Sequence, residues 1–156
     1  MLPDATRRFV STAAALGLEV EPVVHPDGTK TAADAAAAVG CDVSAIVKTL
    51  VFMTDDEPVL VLMSGDRMVD LDKLARLRDA SEARRASLDE VRAHTGYAAG
   101  GTPPVGHTTP MDVYADDSLR RNEQVWAAAG TPTSVFPVSL EVLVSVTKAT
   151  WTDVAQ

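Results

Sequence analysis

The stretch that decides the fold is IVKTLVFM (residues 46–53), followed by DDEP (55–58) and VLVLM (59–63). Both apolar runs are short and rich in β-branched residues, and the acidic segment between them is typical of a turn. We therefore expect two strands joined as a hairpin. Lys48 lies at the start of the first strand. This is an unusual place for an ammonium group, because lysine is rarely buried without a partner.

Further elements are predicted on both sides of this hairpin. A period near 3.6 predicts a first helix from Asp4 to Leu16, with an inward face formed by Phe9, Val10, Ala13 and Leu16. Further helices are expected from Thr31 to Val39, Asp70 to Leu77, Ser87 to Gly96 and Ser139 to Val146. Shorter strands are expected at residues 19–25, 111–115, 123–128 and 134–137, and a turn at Pro26-Asp27-Gly28. Together these elements predict one α+β domain over residues 1–156.

The segment GYAAGGTPPVGH (residues 96–107) is the most distinctive part of the chain. It holds four glycines and two prolines, a composition that excludes a helix or a central strand and predicts a rigid, irregular loop. Gly100, Gly101 and Thr102 keep backbone N–H groups, and glycine lets a backbone approach a ligand closely. Donors of this kind suit an oxyanion. A tight surface loop with no chemical role is the alternative.

Composition and charge exclude several classes of protein. The 46% hydrophobic and 23% charged fractions are ordinary for a globular domain, and no apolar run reaches the roughly 18–20 residues of a membrane span. We expect no membrane association and no secretory signal. A single cysteine, Cys41, fits a reducing compartment, so the cytoplasm is expected. The three histidines lack metal-ligand spacing, and the chain carries no P-loop or G-x-S-x-G motif, so no metal or cofactor is expected.

The net charge of −8 argues against a protein that coats nucleic acid non-specifically. Basic residues are nevertheless concentrated in the segment 67–92. Within it, the arginines that form a candidate phosphate-facing patch are Arg76, Arg78, Arg84 and Arg85. Ordinary solvated helices are the competing interpretation of this segment.

Two motifs together, AIVKTLVF (45–52) and the loop at 96–107, make the chain similar to the YbaK/prolyl-tRNA-synthetase-associated domain family, also called the bacterial prolyl-tRNA editing domain superfamily. The resemblance extends to GDR (65–67), VDLDKL (69–74), DDSL (116–119) and VWAAAG (125–130). It implies a mixed, curved β-sheet, a partial barrel, surrounded by helices around a central cleft. It also implies a deacylase that hydrolyses the ester of a small mischarged amino acid, of the alanyl- or cysteinyl-tRNA(Pro) type.

The resemblance implies roles for individual residues as well. Lys48 matches the essential lysine of the family, and residues 100–104 match its G-x-x-x-P loop. The residues expected in the site are therefore Lys48, Gly100 and Gly101 as catalytic, and Thr102, Pro103, Pro104, His107, Gly130 and Thr131 as substrate-binding. Several relatives place a histidine just beyond the glycine at 130, where this chain has Thr131-Pro132-Thr133. This departure affects the choice of amino acid more than the reaction.

The expected chemistry is free of metal and assisted by the substrate. Lys48 has an ordinary pKa near 10.4, so an electrostatic role suits it better than that of a base. No side chain stands out as a base to activate water, and His107 is a candidate acid or base only by its pKa range. The expected partner is the aminoacylated 3′ end of tRNA, with an aminoacyl-tRNA synthetase as an optional second partner. The alternatives are a non-catalytic module that binds aminoacyl-tRNA or a regulatory partner, and a hydrolase of another small ester or amide.

Overall fold

The computed structural model describes residues 1–27, 29 and 31–156. Its helices are α1 (Asp4–Ala15), α2 (Ala32–Val39), α3 (Leu71–Leu77), α4 (Leu88–Thr95) and α5 (Leu140–Thr147). Its strands are β1 (Val23–Val24), β2 (Val47–Thr54), β3 (Glu57–Ser64), β4 (Ala83–Arg85), β5 (Asp112–Asp116), β6 (Gln124–Ala128), β7 (Ser134–Ser139) and β8 (Thr150–Thr152). Two short 3-10 segments cover Val43–Ala45 and Asp117–Arg121.

The predicted hairpin forms the centre of a five-stranded sheet with the order β4-β2-β3-β5-β8. Strands β2 and β3 pair antiparallel from Val47–Ser64 to Thr54–Glu57, whereas β5 runs parallel to both β3 and β8. A second sheet has the order β1-β7-β6, and a bridge between Ile46 and Trp126 links the two sheets. The mixed α+β architecture is confirmed. Within the described residues, the two sheets do not close into a barrel.

Side chains from alternate positions of the hairpin enter two different apolar layers. Leu60 and Leu62 belong to the main core, where Phe9 of α1 packs on Phe136 of β7 with ring centroids 5.2 Å apart. On the opposite face, neighbouring residues of the hairpin pack against Leu74 of α3. Burial on both faces of the sheet explains why the runs at 46–53 and 59–63 are rich in apolar residues instead of alternating with polar ones.

The predicted helix ends are confirmed at the level of their capping contacts. The Asp34 N–H donates to Thr31 Oγ1 at 3.0 Å, and Gly40 ends α2 with φ of 77°. Ser87 and Glu90 form the expected capping box at the start of α4. Ser139 caps α5 by accepting from the Val142 N–H. Each of the three N-terminal caps accepts a hydrogen bond from an amide group that the first turn of a helix leaves unpaired.

Three expectations about the first forty residues need correction or fall outside the structure. Leu16 is 54% exposed, because α1 ends before it and the chain turns at Gly17, while Thr6 lies in the buried face instead. The strand expected at 19–25 is limited to Val23–Val24, which are the only positions there that pair with β7. The predicted turn holds at Pro26-Asp27, but Gly28 lies outside the described residues.

Two strands, β4 and β8, were not predicted from the sequence. Each has three residues and pairs at the edge of the large sheet, so neither is long enough to show an alternating pattern. None of the helices within 1–27 and 31–156 has the length and apolarity needed to cross a membrane.

Candidate active site

A cleft of about 260 Å³ opens beside β2, on the edge that faces away from β3. Strand β4 covers this edge only at residues 52–54, and β6 reaches it only at Ile46. The edge between them, at residues 48–50, is left open to the cleft. The lining includes Thr31, Lys48, Thr49, Arg85, Gly100, Thr102, Trp126, Thr131, Pro132 and Ser134. Lys48 and the glycine-rich loop therefore meet at one small cavity.

Lys48 is half-buried in this cleft, and its ammonium group donates a hydrogen bond to the Arg67 carbonyl. Burial is the main cause that lowers the pKa of Lys48, and the nearby Arg85 guanidinium lowers it further, whereas the Asp66 carboxylate opposes both. A cation in this setting is partly stripped of water. It therefore interacts more strongly with a negatively charged group than it would at an exposed site.

Gly101 joins the glycine-rich loop to the segment 130–131. Its N–H donates to the Ala98 carbonyl at 3.1 Å, and its carbonyl accepts from the Gly130 N–H at 3.0 Å. A Cβ at this position would lie 2.6 Å from the Thr131 backbone, so only glycine allows this approach. The Gly101 amide is thus already paired and does not line the cleft. Its part in the site is to hold the two segments together.

Gly100 and Thr102 are the loop residues that line the cleft. In the part of the chain that the structure describes, neither backbone N–H donates to a backbone or side-chain acceptor. The Thr102 hydroxyl donates to the Ala98 carbonyl at 3.1 Å, which fixes the loop from beneath. These two amides are therefore the candidates for stabilising negative charge on a bound substrate.

Pro103, Pro104 and His107, in the second half of the loop, do not line the cleft. His107 Nε2 is 2.6 Å from the Pro103 carbonyl, and because a carbonyl can only accept, this nitrogen carries the proton. Burial lowers the pKa of His107, partly offset by this hydrogen bond. The contact holds the loop in shape.

Gly130 and Thr131, predicted together as substrate-binding, are placed differently. Gly130 has φ of 104°, and a Cβ there would lie 2.8 Å from the Ala5 carbonyl of α1, so this glycine serves close packing. Thr131 lines the cleft, with its hydroxyl 2.7 Å from Ser134 Oγ. The buried Thr6 hydroxyl donates to the same Ser134 oxygen at 2.9 Å. A short chain of hydroxyl groups thus runs from α1 to the wall of the cleft.

Thr49, Trp126 and Ser134 line the cleft but were not singled out from the sequence. Thr49 Oγ1 is buried and, among the described residues, has no hydrogen-bond partner. Its position directly after Lys48 on β2 is the one local signal for it. Trp126 and Ser134 lie on the second sheet, and their approach to β2 depends on the packing of the two sheets.

The four arginines predicted to form one patch are dispersed by the fold. Arg85 alone among them lines the cleft. The Arg84 guanidinium donates to both Glu90 carboxylate oxygens, at 2.7 and 2.9 Å. The Arg78 side chain is only 15% exposed and donates to Glu57, Asp112 and Tyr114 on another face of the protein. Arg76 is exposed on α3.

No group of three or more histidine, cysteine, aspartate or glutamate side chains among the described residues is positioned to share one metal ion.

Comparison with known proteins identifies relatives of this arrangement. Residues 26–146 match the family model described as an aminoacyl-tRNA editing domain. The fold superposes with a TM-score of 0.95 on a crystal structure of a candidate trans-editing enzyme for prolyl tRNA synthetase. That protein is 39% identical, and the match covers 100% of this chain and 99% of the other.

Partial matches include one much longer protein and one of similar length. The proline–tRNA ligase of Lactobacillus gasseri is 37% identical over 75 residues, which are 48% of this chain but only 13% of the ligase. The uncharacterized protein YwhH of Bacillus subtilis is 34% identical over 97 residues, or 62% of this chain and 61% of that protein.

Proposed function

The chain belongs to the aminoacyl-tRNA editing domain family, and from this premise we propose that it is a free-standing, trans-editing aminoacyl-tRNA deacylase. The proposed substrate is a tRNA that carries a small, wrongly attached amino acid, of the alanyl- or cysteinyl-tRNA(Pro) type. The observation that carries the proposal is the meeting of Lys48 with Gly100 and Thr102 around one cleft of about 260 Å³.

The proposed reaction is hydrolysis of an ester. Water attacks the carbonyl carbon, the bond from this carbon to the ribose oxygen breaks, and the carbonyl oxygen carries negative charge in the intermediate. The Gly100 and Thr102 amides are proposed to stabilise this charge, and each such donor contributes on the order of 10²–10³ in rate. The Lys48 ammonium, together with Arg85, would hold the anionic end of the tRNA or the substrate carbonyl.

Activation of the water is proposed to come from the substrate. The neighbouring free hydroxyl of the terminal ribose would act as a relay: it would take a proton from the attacking water and pass its own proton to the leaving ribose oxygen. A tRNA whose terminal ribose carries hydrogen in place of this hydroxyl should lose most of its turnover. Unchanged turnover with this substrate would contradict substrate assistance while leaving the deacylase proposal intact.

The walls of the cleft support a short side chain on the amino acid. The bulky side chains of Trp126 and Pro132 are among the residues that line the cleft, and they limit the space beside the ester.

A panel of mischarged tRNAs tests the proposal. We expect release of alanine, cysteine or serine above background, little release of proline from prolyl-tRNA(Pro), and a loss of about 10²–10³ in rate for Lys48→Ala. Lys148→Asn is the matched control, because Lys148 is exposed at the end of α5 and asparagine suits its left-handed φ of 56°. Binding without cleavage of any ester would favour a non-catalytic binding module instead.

The net charge of −8 also bears on partners. It predicts modest intrinsic affinity for tRNA with a shallow dependence on salt, so we propose that a synthetase assists delivery of the substrate. A steep salt dependence for the chain alone would contradict this part of the proposal.

A further inference from the structure

The acceptor for the Lys48 ammonium group is a backbone carbonyl in the turn that directly follows β3. This turn, residues 64–67, begins where the Gly65 N–H donates to the Ile46 carbonyl at 2.7 Å. It closes where the Arg67 N–H donates to the Ser64 carbonyl at 3.0 Å, and the Arg67 carbonyl then accepts from Lys48 Nζ. Any movement of the turn therefore moves the acceptor that holds the ammonium group.

A bidentate ion pair holds this turn from one side. The Arg121 guanidinium donates to Asp66 Oδ1 at 2.6 Å and to Oδ2 at 2.9 Å, a geometry that is both strong and directional. It also donates to Ser64 Oγ at 2.9 Å, and Ser64 is fully buried. Arg121 lies 55 residues from Asp66, in the 3-10 segment after β5, so the contact is tertiary.

Close packing holds the turn from the other side. A Cβ on Gly65 would lie 2.5 Å from the Val43 carbonyl and 2.9 Å from Cβ of Ala32 in α2. Ser64 Oγ lies 2.8 Å from the Ser44 carbonyl, which ties the turn to the preceding 3-10 segment. The turn is thus enclosed by rigid backbone, and the ion pair closes its remaining side.

The Asp66 carboxylate also has an electrostatic effect on Lys48. Burial disfavours the charge on the ammonium group, Arg85 of the same cleft disfavours it further, and Asp66 is the acid that offsets them. Asp66 itself stays ionised, because the hydrogen bonds from Arg121 lower its pKa to about 2.

We infer that Asp66 and Arg121 are positioning residues for Lys48: their ion pair fixes the 64–67 turn, whose carbonyl holds the ammonium group at the cleft. This inference rests on the proposed deacylase function. Neither residue lines the cleft, so the ion pair acts on the reaction through Lys48 alone.

A double-mutant cycle on deacylation tests the inference. Arg121→Ala is expected to lower kcat by about 10- to 100-fold with little change in KM, since small misplacements of a catalytic group have effects of this size. Arg121→Lys should recover only part of the loss, because an ammonium group lacks the planar, parallel pair of N–H donors with which a guanidinium matches a carboxylate. In a Lys48→Ala background, Arg121→Ala should cause no further loss. An additional full loss in that background would overturn the inference.

The neighbouring Arg120 supplies the matched control. It stacks on Trp151 with 4.0 Å between its guanidinium carbon and the ring centroid, and it pairs with Asp117, away from the cleft. Arg120→Ala should leave deacylation unchanged. If Arg120→Ala and Arg121→Ala lower the rate equally, the effect belongs to the segment as a whole and the inference fails.

A second measurement does not depend on activity. The titration midpoint of Lys48, followed by NMR of its side-chain carbons, should move to lower pH in Asp66→Asn, because the acid that favours the charged ammonium is removed. An unchanged midpoint would overturn the inference. Failure of the wild type to cleave any ester, with the shift present, would overturn the proposed function and not the positioning of Lys48.

Discussion

A single methyl group at Gly101 should separate the two segments that line the cleft. An ideal Cβ there lies 2.6 Å from both Cα and C of Thr131, and 2.9 Å from its N. Carbon atoms in contact are about 3.5–4.0 Å apart, so Gly101→Ala requires a separation of roughly 1 Å. The neighbouring atoms are backbone, and no side-chain rotation can relieve the clash.

The size of the effect follows from this separation. Overpacking of this kind costs about 1–3 kcal/mol in the free energy of unfolding. The movement also stretches the 3.0 Å hydrogen bond from the Gly130 N–H to the Gly101 carbonyl, and it shifts the adjacent Gly100 and Thr102 amides. Displacement of catalytic groups by about 1 Å can lower a rate on the order of 10²-fold, so we expect a loss of that size in deacylation.

Single-turnover deacylation and urea unfolding measure the two effects. Gly17→Ala is the control, because Gly17 has φ of 88° but a Cβ added there would meet nothing within 4 Å. It should cost about 1 kcal/mol through backbone strain and leave the rate unchanged. If Gly101→Ala keeps the wild-type rate and stability, the close approach of the two segments does not determine the site and the reasoning is refuted.

Three further predictions concern the core, the loop and tRNA binding. Phe9→Ala should lower the free energy of unfolding by about 3–5 kcal/mol in urea titrations, because Phe9 is fully buried; a loss below about 1 kcal/mol would contradict this packing. Since burial lowers the pKa of His107, the folded state disfavours its protonation, and stability should fall as pH drops below the unfolded pKa of about 6.5. His107→Gln should reduce the pH dependence of the free energy of unfolding between about pH 5 and 7. If the variant keeps the wild-type pH dependence, the lowered pKa of His107 does not contribute to stability. Arg85→Ala should reduce the slope of tRNA affinity against salt concentration, both on logarithmic scales, by about 1. Arg78→Ala removes only contacts within the protein and should leave this slope unchanged. Equal effects of the two variants would instead support a single arginine patch.

Local sequence signals were sufficient for most of the fold and for the two motifs of the site. The hairpin at 46–63 was predicted because continuous apolar runs around an acidic turn have few other solutions. The capping box of Ser87 and Glu90 was predicted because both partners lie within one helical turn. Four glycines and two prolines likewise determined an irregular loop at 96–107 without any information from the rest of the chain.

The roles of individual residues in the site depended on contacts between distant segments. The sequence predicts Gly101 as catalytic and Gly130 as substrate-binding; the structure adds that both glycines allow close backbone packing, against Thr131 and Ala5. Arg78 was grouped with Arg85 by proximity in the sequence, yet its partners lie 21, 34 and 36 residues away.

The chain by itself thus determined where strands, helices and the stiff loop occur, because these depend on period, caps and backbone freedom over a few residues. Only the tertiary structure decided which amides remain unpaired, which arginine reaches the cleft, and what holds the Lys48 ammonium. These properties arise where β2 meets the second sheet and where Arg121 meets Asp66, and such pairings are selected by packing over the whole domain.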